Sequence, residues 1–171
     1  MWEDRIRRFL ALTLVAVLAL SMLGLAGCAS TEDEASDEGG EETATETVKI
    51  GVHTSLTGGL ADYGFAAQEG LKLAAEDFSG FEVDGVAYEI ELVIKDDKGE
   101  PAEAPIVAQQ LVDEGVVGVI GALTSGATNA ALPIYQEAGI PVISGSATNP
   151  DLTEAGFENF FRTCLRDDLQ G

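Results

Sequence analysis

The sequence has few cysteines, few histidines and few basic side chains, and each shortage excludes or disfavours certain classes of function. Two cysteines, Cys28 and Cys164, are too few for a disulfide framework or a zinc site. The single histidine, His53, excludes a histidine-rich metal cluster, argues against a Ser-His-Asp triad and is expected to lie within the first strand. Nine lysines and arginines against 30 aspartates and glutamates give a formal net charge of -21, which makes nucleic acid an unfavourable partner.

The first 28 residues have the features of an export signal. Basic residues between positions 5 and 8 precede an apolar run from Phe9 to Leu25, and no cationic stop follows it. The run is at the short end for a membrane span, so a cleaved signal is favoured over a transmembrane helix. Its end, Leu25-Ala26-Gly27-Cys28, resembles the lipobox of bacterial lipoproteins, and the resemblance implies that Cys28 is lipidated and becomes the new first residue.

An acidic segment separates this signal from the globular part. Residues 29–47 contain eight acidic side chains, no basic ones, and otherwise serine, threonine, alanine and glycine. Such a composition does not bury a core, so the segment is expected to be a disordered tether with a mean reach of about 25 Å. The globular part is then expected to span residues 48–171.

The globular part is organised around a unit between Gly118 and Pro150. Val119-Ile120 predicts a strand, residues 127–137 have helical composition, and Val142-Ile143 predicts a second strand. Two parallel strands joined by one helix bring the turns that follow them to the same edge of the sheet.

Both of these turns, residues 121–126 and 144–150, are rich in hydroxyls and glycines and contain no charged side chain. They emerge at the carboxyl edge of the sheet, where open parallel sheets bind small ligands. Hydroxyls and exposed backbone amides suit a small polar ligand with an anionic group such as a carboxylate. Serine, threonine and glycine also make ordinary turns, but two such turns on one edge favour a binding site.

The whole pattern predicts an α/β fold, a three-layer sandwich around a parallel sheet. A small hairpin or loop is expected around Asp84-Gly85. The predicted strands are residues 48–55, 89–95, 119–120, 142–143 and 160–163, and the predicted helices are residues 63–78, 102–114, 127–137 and 151–154. Residues 167–171 resemble the start of a further helix, so the chain is expected to be a piece of a longer protein.

Two adjacent acids, Asp96 and Asp97, follow the second predicted strand. Such a pair suggests a metal or phosphoacceptor site, as in response regulators. There, however, the acid pair follows the first strand and the phosphoacceptor follows the third, whereas here Gly121-Ala122 follows the third. We therefore expect these acids to serve in turns and in helix capping.

Short motifs spread over the globular part resemble those of one family. They are Lys49-Ile50-Gly51-Val52, Leu56-Thr57-Gly58, Tyr63-Gly64, Asp96-Asp97, Gly139-Ile140-Pro141, Ala147-Thr148-Asn149-Pro150 and Phe161-Arg162-Thr163. Each motif alone is weak, but their order and spacing are similar to those of the solute-binding proteins of bacterial amino-acid import systems, in particular the leucine/isoleucine/valine-binding type. The resemblance implies the first lobe of a periplasmic-binding-protein type I fold, with the flavodoxin-like strand order 2-1-3-4-5, in which two α/β lobes close on a ligand.

The resemblance also implies roles for residues in the two polar turns. Ser125 and Thr148 would donate hydroxyl and backbone hydrogen bonds to the ligand's carboxylate, with Ala147 beside them. The Ser146 carbonyl would accept from the ammonium, and Tyr63 would pack against the ligand. The resemblance implies no catalytic residue, no metal and no cofactor, because such binding makes and breaks no bond.

The sequence departs from the best-known members at two places. Gly99 and Thr124 stand where those members carry the cysteines of a disulfide, so that bridge is absent. Ser146 replaces the expected alanine, which matters little if only its carbonyl takes part. The second lobe is expected beyond Gly171, so this chain does not specify which side chain the ligand carries.

The leading hypothesis is a lipid-anchored protein outside the cell that captures an amino acid, with a branched-chain amino acid expected, and delivers it to an ABC permease and its ATPase. An α/β enzyme is less favoured because the sequence contains no GxGxxG motif, no P-loop lysine and no GxSxG elbow. A sensory module of the same fold is the other alternative, although the lipobox and the free tether argue against a fused effector.

Overall fold

The computed structural model describes residues 45–78 and 80–170, and the predicted signal with Cys28 lies outside them. The strands are β1 (Thr45–Thr54), β2 (Phe81–Val83), β3 (Val86–Asp96), β4 (Gly118–Gly121), β5 (Val142–Ser144) and β6 (Phe160–Arg162). The helices are α1 (Ala61–Phe78), α2 (Ala104–Asp113), α3 (Ser125–Glu137) and α4 (Asp151–Glu154), with 3-10 turns at Gly58–Leu60 and Asp167–Leu169. Within the described ranges, no helix has both the length and the apolar character that crossing a bilayer requires.

The six strands form one sheet in the order β2-β3-β1-β4-β5-β6. β1 pairs in parallel with β3 and with β4, and parallel pairing continues through β5 to β6. Without the short strand β2, this is the predicted order 2-1-3-4-5, which is therefore confirmed. The helical connections between the parallel strands are the crossovers that such a sheet requires.

The predicted hairpin around Asp84-Gly85 is also confirmed. β2 pairs antiparallel with β3 and forms the edge of the sheet. Asp84 and Gly85 have φ angles of 52° and 81°, and two consecutive positive values are typical of a tight two-residue hairpin turn. β3 therefore begins directly after the turn, at Val86, earlier than the predicted strand.

β1 begins at Thr45, so its first three residues fall within the segment 29–47 that is predicted to be the tether, whose residues 29–44 lie outside the described ranges. Residues 45–47 pair in parallel register with residues 87–89 of β3. These first residues of β1 are exposed and polar, so composition alone assigned them to the acidic segment. Backbone hydrogen bonds to a neighbouring strand, which composition does not report, decide the boundary.

Helices cover both faces of the sheet. His53 of β1 contacts Tyr135 of α3, whereas the neighbouring Val52 faces α1 near Leu71, as the alternation of strand side chains requires. The apolar core lies mainly between the sheet and the pair α2 and α3, and its helical members include Val107, Ala108, Leu111, Ala131, Leu132 and Tyr135. This core gives the carboxyl edge of the sheet a rigid support.

The face that carries α1 is only partly covered. Ile120, Ile143 and Phe161 are register partners on β4, β5 and β6, and they therefore lie on one face. Ile143 is 44% exposed and Phe161 is 54% exposed. The α1 face thus presents an accessible apolar surface beside the helix.

Candidate ligand-binding site

The turns after β4 and β5 meet at the carboxyl edge of the sheet. Ser146 Oγ donates to the Leu123 carbonyl over 2.7 Å, and the Asn149 amide donates to Ser125 Oγ over 3.2 Å. The structure therefore brings the turn that contains residues 146–148 against the turn that contains Ser125 on one rim, as expected for two turns that leave the same edge. Their role in binding a ligand stays a prediction.

The buried Ser144 holds the second turn in shape. Its Oγ donates to the Ala122 carbonyl over 3.0 Å and accepts from the amides of Ser146 and Ala147 at 3.4 and 3.1 Å. These bonds pin the turn to the end of β4. The sequence signal for this role is the alternation with buried Val142, which places a hydroxyl inside an apolar layer where it needs partners.

The rim presents hydrogen-bonding groups that no described residue uses. Ser125 Oγ acts as the acceptor for the Asn149 amide, so its own proton is available. Within the described part of the chain, the Thr148 amide and hydroxyl and the Ser146 carbonyl also have no protein partner. The rim thus holds donors for a carboxylate and an acceptor for an ammonium.

The first turn of α3 adds backbone donors to the same rim. Ser125 and Gly126 are its first residues, and their amides have no carbonyl partner within the helix. Thr124 Oγ1 accepts from the Ala127 amide over 3.2 Å and caps the helix. The partial positive charge at a helix N-terminus favours an anionic group nearby.

An open hollow lies against these turns on the side of α1. It is lined by Leu60, Tyr63, Leu123, Thr124 and Ser146. Tyr63 is 69% exposed, so its ring is accessible to a molecule in the hollow. Tyr63 and Ser146 line the same hollow. The contact of Tyr63 with a ligand stays a prediction.

Asp96 organises the turn that follows β1. Its carboxylate accepts from the Leu56 amide over 2.8 Å, from the Thr57 hydroxyl over 2.6 Å and from the Lys98 amide over 2.8 Å. Burial by itself raises the pKa of Asp96, but these hydrogen bonds outweigh it and hold the pKa below its usual value. The predicted turn role is therefore confirmed, whereas helix capping is wrong, because α2 begins only at Ala104.

Asp97 belongs to a buried polar cluster beneath the rim. Its Oδ1 accepts from the Ser55 hydroxyl and from the Gly99 amide, both over 2.8 Å, so this acid also serves a turn and caps no helix. His53 Nε2 lies 3.2 Å from Oδ2, and His53 Nδ1 lies 3.0 Å from the Tyr135 hydroxyl. His53 lies within β1 as expected, but this pairing was not predicted.

The electrostatics of this cluster favour an ionised Asp97 and a neutral Tyr135. Burial raises the pKa of the Asp97 carboxyl, but the His53 ring, the Gly99 amide and the Ser55 hydroxyl outweigh it, and the pKa lies below its usual value. Burial, and then the charge of Asp97, raise the pKa of the Tyr135 hydroxyl. Tyr135 therefore keeps its proton and donates to Nδ1 when the ring proton is on Nε2.

The chain belongs to the periplasmic binding protein family. The sequence profile of that family, described as periplasmic binding protein, matches residues 47–167. The match covers nearly all of the sheet and both polar turns, and it confirms the resemblance drawn from the short motifs.

Curated bacterial relatives share this part of the chain. The leucine-, isoleucine-, valine-, threonine-, and alanine-binding protein of Pseudomonas aeruginosa is 36% identical over 129 residues, which are 75% of this chain and 34% of the relative. Leu/Ile/Val-binding protein homolog 1 of Brucella abortus is 40% identical over 130 residues, with the same shares of 75% and 34%. The chain therefore spans about a third of the length of these relatives.

Solved structures share the fold. The branched-chain amino acid transporter substrate binding protein LivJ of Streptococcus pneumoniae, in complex with isoleucine, is 42% identical with a TM-score of 0.64, over 71% of this chain and 34% of that one. A solute binding protein of Rhodopseudomonas palustris, in complex with 3,4-dihydroxy benzoic acid, is 30% identical with a TM-score of 0.63, over 70% of this chain and 32% of that one. The predicted α/β lobe is thus confirmed.

Proposed function

We propose that this chain forms part of the first lobe of an extracytoplasmic solute-binding protein, and that its polar rim binds the carboxylate of an amino acid. One observation carries the proposal: the Ser125 hydroxyl, the Thr148 amide and hydroxyl and the first amides of α3 converge at one edge of the sheet. Hydrogen bonds from such donors to a carboxylate are charge-assisted and comparatively strong. A branched-chain amino acid is the favoured ligand.

The Ser146 carbonyl would allow the site to discriminate between an amino acid and a carboxylic acid that has no ammonium group. Isoleucine and 3,4-dihydroxy benzoic acid, the ligands of two solved relatives, share a carboxylate, and only the amino acid brings an ammonium. The carbonyl offers that ammonium an acceptor on the same rim. The relative with isoleucine is also the more similar in sequence, which favours the amino acid, and an aromatic acid is the second candidate.

The opposite wall of the site is proposed to come from further chain. The relatives are about three times as long as the matched part, so a second lobe could supply that wall. The accessible Ile143 and Phe161 lie instead on the α1 face of the sheet, where a further helix of the same lobe would cover them. Closure of two lobes around the amino acid would then be the mechanism, with no bond made or broken. The closed protein would deliver its ligand to an ABC permease and its ATPase.

Thr148→Val in the complete protein is expected to weaken the binding of L-isoleucine by about tenfold, because it removes one hydrogen bond to a charged group. Calorimetric titration of the wild type and the variant with L-isoleucine, L-leucine, L-valine, L-alanine and 4-hydroxybenzoate measures the effect and ranks the ligands. Thr47→Val is the matched control, because it makes the same change at an exposed residue near the start of β1, at the edge of the sheet opposite to the two polar turns. A wild type that binds none of these compounds would refute the proposed function.

Cys28→Ser is expected to release the exported protein from the membrane. A single acyl chain binds membranes only marginally, so stable anchoring requires more than one chain on this cysteine. The measurement is fractionation of cells that express either form, with metabolic labelling by a radioactive fatty acid. A wild type that is found in the soluble fraction without label would rule out lipid anchoring, and leave ligand binding untouched.

A further inference from the structure

Arg162, the last residue of β6, holds the turn that carries Thr148. Its Nη1 donates to the Ala147 carbonyl over 3.0 Å and to the Asn149 carbonyl over 2.8 Å, and its Nη2 donates to Thr153 Oγ1 over 2.8 Å. Arg162 forms no ion pair with any carboxylate in the described ranges. Its charge is therefore directed at the carbonyls of the turn.

Residues that follow β6 also contact the carbonyls of this turn. Cys164 Sγ lies 3.6 Å from the Ala147 carbonyl oxygen, and the Asp167 amide donates to the Thr148 carbonyl over 3.0 Å. All three carbonyls from Ala147 to Asn149 thus face residues 162–167. We call this segment the clasp.

The clasp determines where the amides of the turn point. The peptides of the turn are trans, and in a trans peptide the carbonyl of one residue and the amide of the next point to opposite sides. The Thr148 carbonyl faces the clasp, and the Asn149 amide accordingly points away and reaches Ser125 Oγ. The Ala147 carbonyl faces Arg162, and the Thr148 amide therefore points away from Arg162, as the Asn149 amide points away from the clasp, and it has no partner within the described ranges.

We propose that Arg162 is a positioning residue, which presets the Thr148 amide for the carboxylate of the ligand. The inference rests on the proposed function, because it assigns Arg162 a role in that same site. A donor that is already oriented loses less conformational freedom on binding, so preorganisation increases affinity. The proposal assigns Arg162 no contact with the ligand, because its Nη1 holds the carbonyls of the turn and Arg162 acts through them.

Arg162→Met in the complete protein is expected to weaken the binding of L-isoleucine by about tenfold or more, the effect of losing one well-placed charge-assisted bond. Arg162→Lys keeps the positive charge, but on a shorter side chain with a single nitrogen, and its affinity for L-isoleucine is expected to fall about threefold. Calorimetry is carried out at a temperature at which melting curves show each variant to be folded. Wild-type affinity in Arg162→Met overturns the proposal, and if that variant does not fold, wild-type affinity in Arg162→Lys overturns it.

Two further measurements separate positioning from general stabilisation. Thr153→Val removes the Nη2 partner and leaves both carbonyl contacts, so its affinity is expected to stay within about twofold of wild type. In the unliganded protein, solvent exchange of the Thr148 amide, followed by NMR, is expected to be altered in Arg162→Met, while exchange at Leu111 in the core is unchanged. Equal changes at both amides would mean that Arg162 only stabilises the fold.

Binding of L-isoleucine by the wild type distinguishes a failure of the positioning role from a failure of the proposed function. A wild type that binds L-isoleucine together with an Arg162→Met protein that binds it equally well overturns the positioning role alone. A wild type that binds no amino acid overturns both.

Discussion

Replacing Gly64 by alanine is expected to lower the free energy of unfolding by about 2–4 kcal/mol. Gly64 is buried in α1, and an added Cβ would collide with the Ser55 carbonyl oxygen and lie 2.5 Å from its carbonyl carbon. Both atoms belong to the backbone, so no side chain can rotate out of the way. Ser55 is itself fixed by its hydrogen bond to buried Asp97, and α1 must therefore move away from the end of β1.

Gly70→Ala is the matched control for Gly64→Ala. Gly70 lies in the same helix, and an added Cβ there would meet no atom within 4 Å. Alanine is the better helix former, so this variant is expected to gain up to about 1 kcal/mol. Urea unfolding of the wild type and both variants measures the two effects. A Gly64→Ala protein as stable as Gly70→Ala would show that α1 does not rest on the end of β1.

The displacement of α1 should also reach the ligand site, because Tyr63 immediately precedes Gly64. Its ring lines the hollow beside Ser146. At temperatures where Gly64→Ala remains folded, its affinity for L-isoleucine is therefore expected to fall, while that of Gly70→Ala stays unchanged. In the Tyr63-Gly64 motif, Tyr63 thus supplies an accessible ring, and Gly64 allows α1 to approach the end of β1 closely.

The sheet and its functional edge could be predicted because their signals are local. Gly139 and Pro141 end the helix before β5, and Asp84-Gly85 marks the hairpin. Both signals are independent of contacts with distant parts of the chain. The parallel pairing then follows from the alternation of strands and helices, whereas the order of the strands was predicted from the resemblance to the family. The convergence of Ser125 with residues 146–148 required only that both turns leave the same edge.

The contacts that shape the site could not be predicted in the same way. His53 and Tyr135 are 82 positions apart, and Arg162 reaches Ala147 across 15 positions, so neither pair leaves a periodic pattern in the sequence. Each contact depends on the angle and register at which two elements pack. Helix capping by Asp96 failed for a related reason, because its oxygens bond instead to the distant turn around Leu56 and Thr57.

Asp97→Asn is expected to lower the free energy of unfolding by about 2–3 kcal/mol at neutral pH. Asparagine keeps the size of the side chain and an acceptor for Ser55 and Gly99. It removes the negative charge that lies 3.2 Å from His53 Nε2, and it places an amide donor against a ring N–H. His53 and Asp97 are almost completely buried, so water does not replace the lost partner.

The pH dependence of this loss follows from the direction of the Asp97 pKa. Because the pKa in the folded protein lies below its usual value of 3.8, ionisation of Asp97 stabilises the fold above that value, and the contribution disappears as the pH falls through the folded pKa. Tyr135, the other titratable group that contacts His53, stays protonated throughout, because its pKa is raised. The difference in unfolding free energy between wild type and Asp97→Asn should therefore be largest above about pH 5 and shrink below pH 3.8.

Urea unfolding at a series of pH values measures this difference, with Asp77→Asn as the control. Asp77 is exposed near the end of α1, and its replacement is expected to change stability by no more than about 0.5 kcal/mol at any pH. Other acids titrate in both proteins and cancel in the comparison. If the difference in unfolding free energy between wild type and Asp97→Asn stays constant down to acid pH, the charge of Asp97 does not contribute to stability. The buried cluster would then stabilise the rim through hydrogen bonds alone.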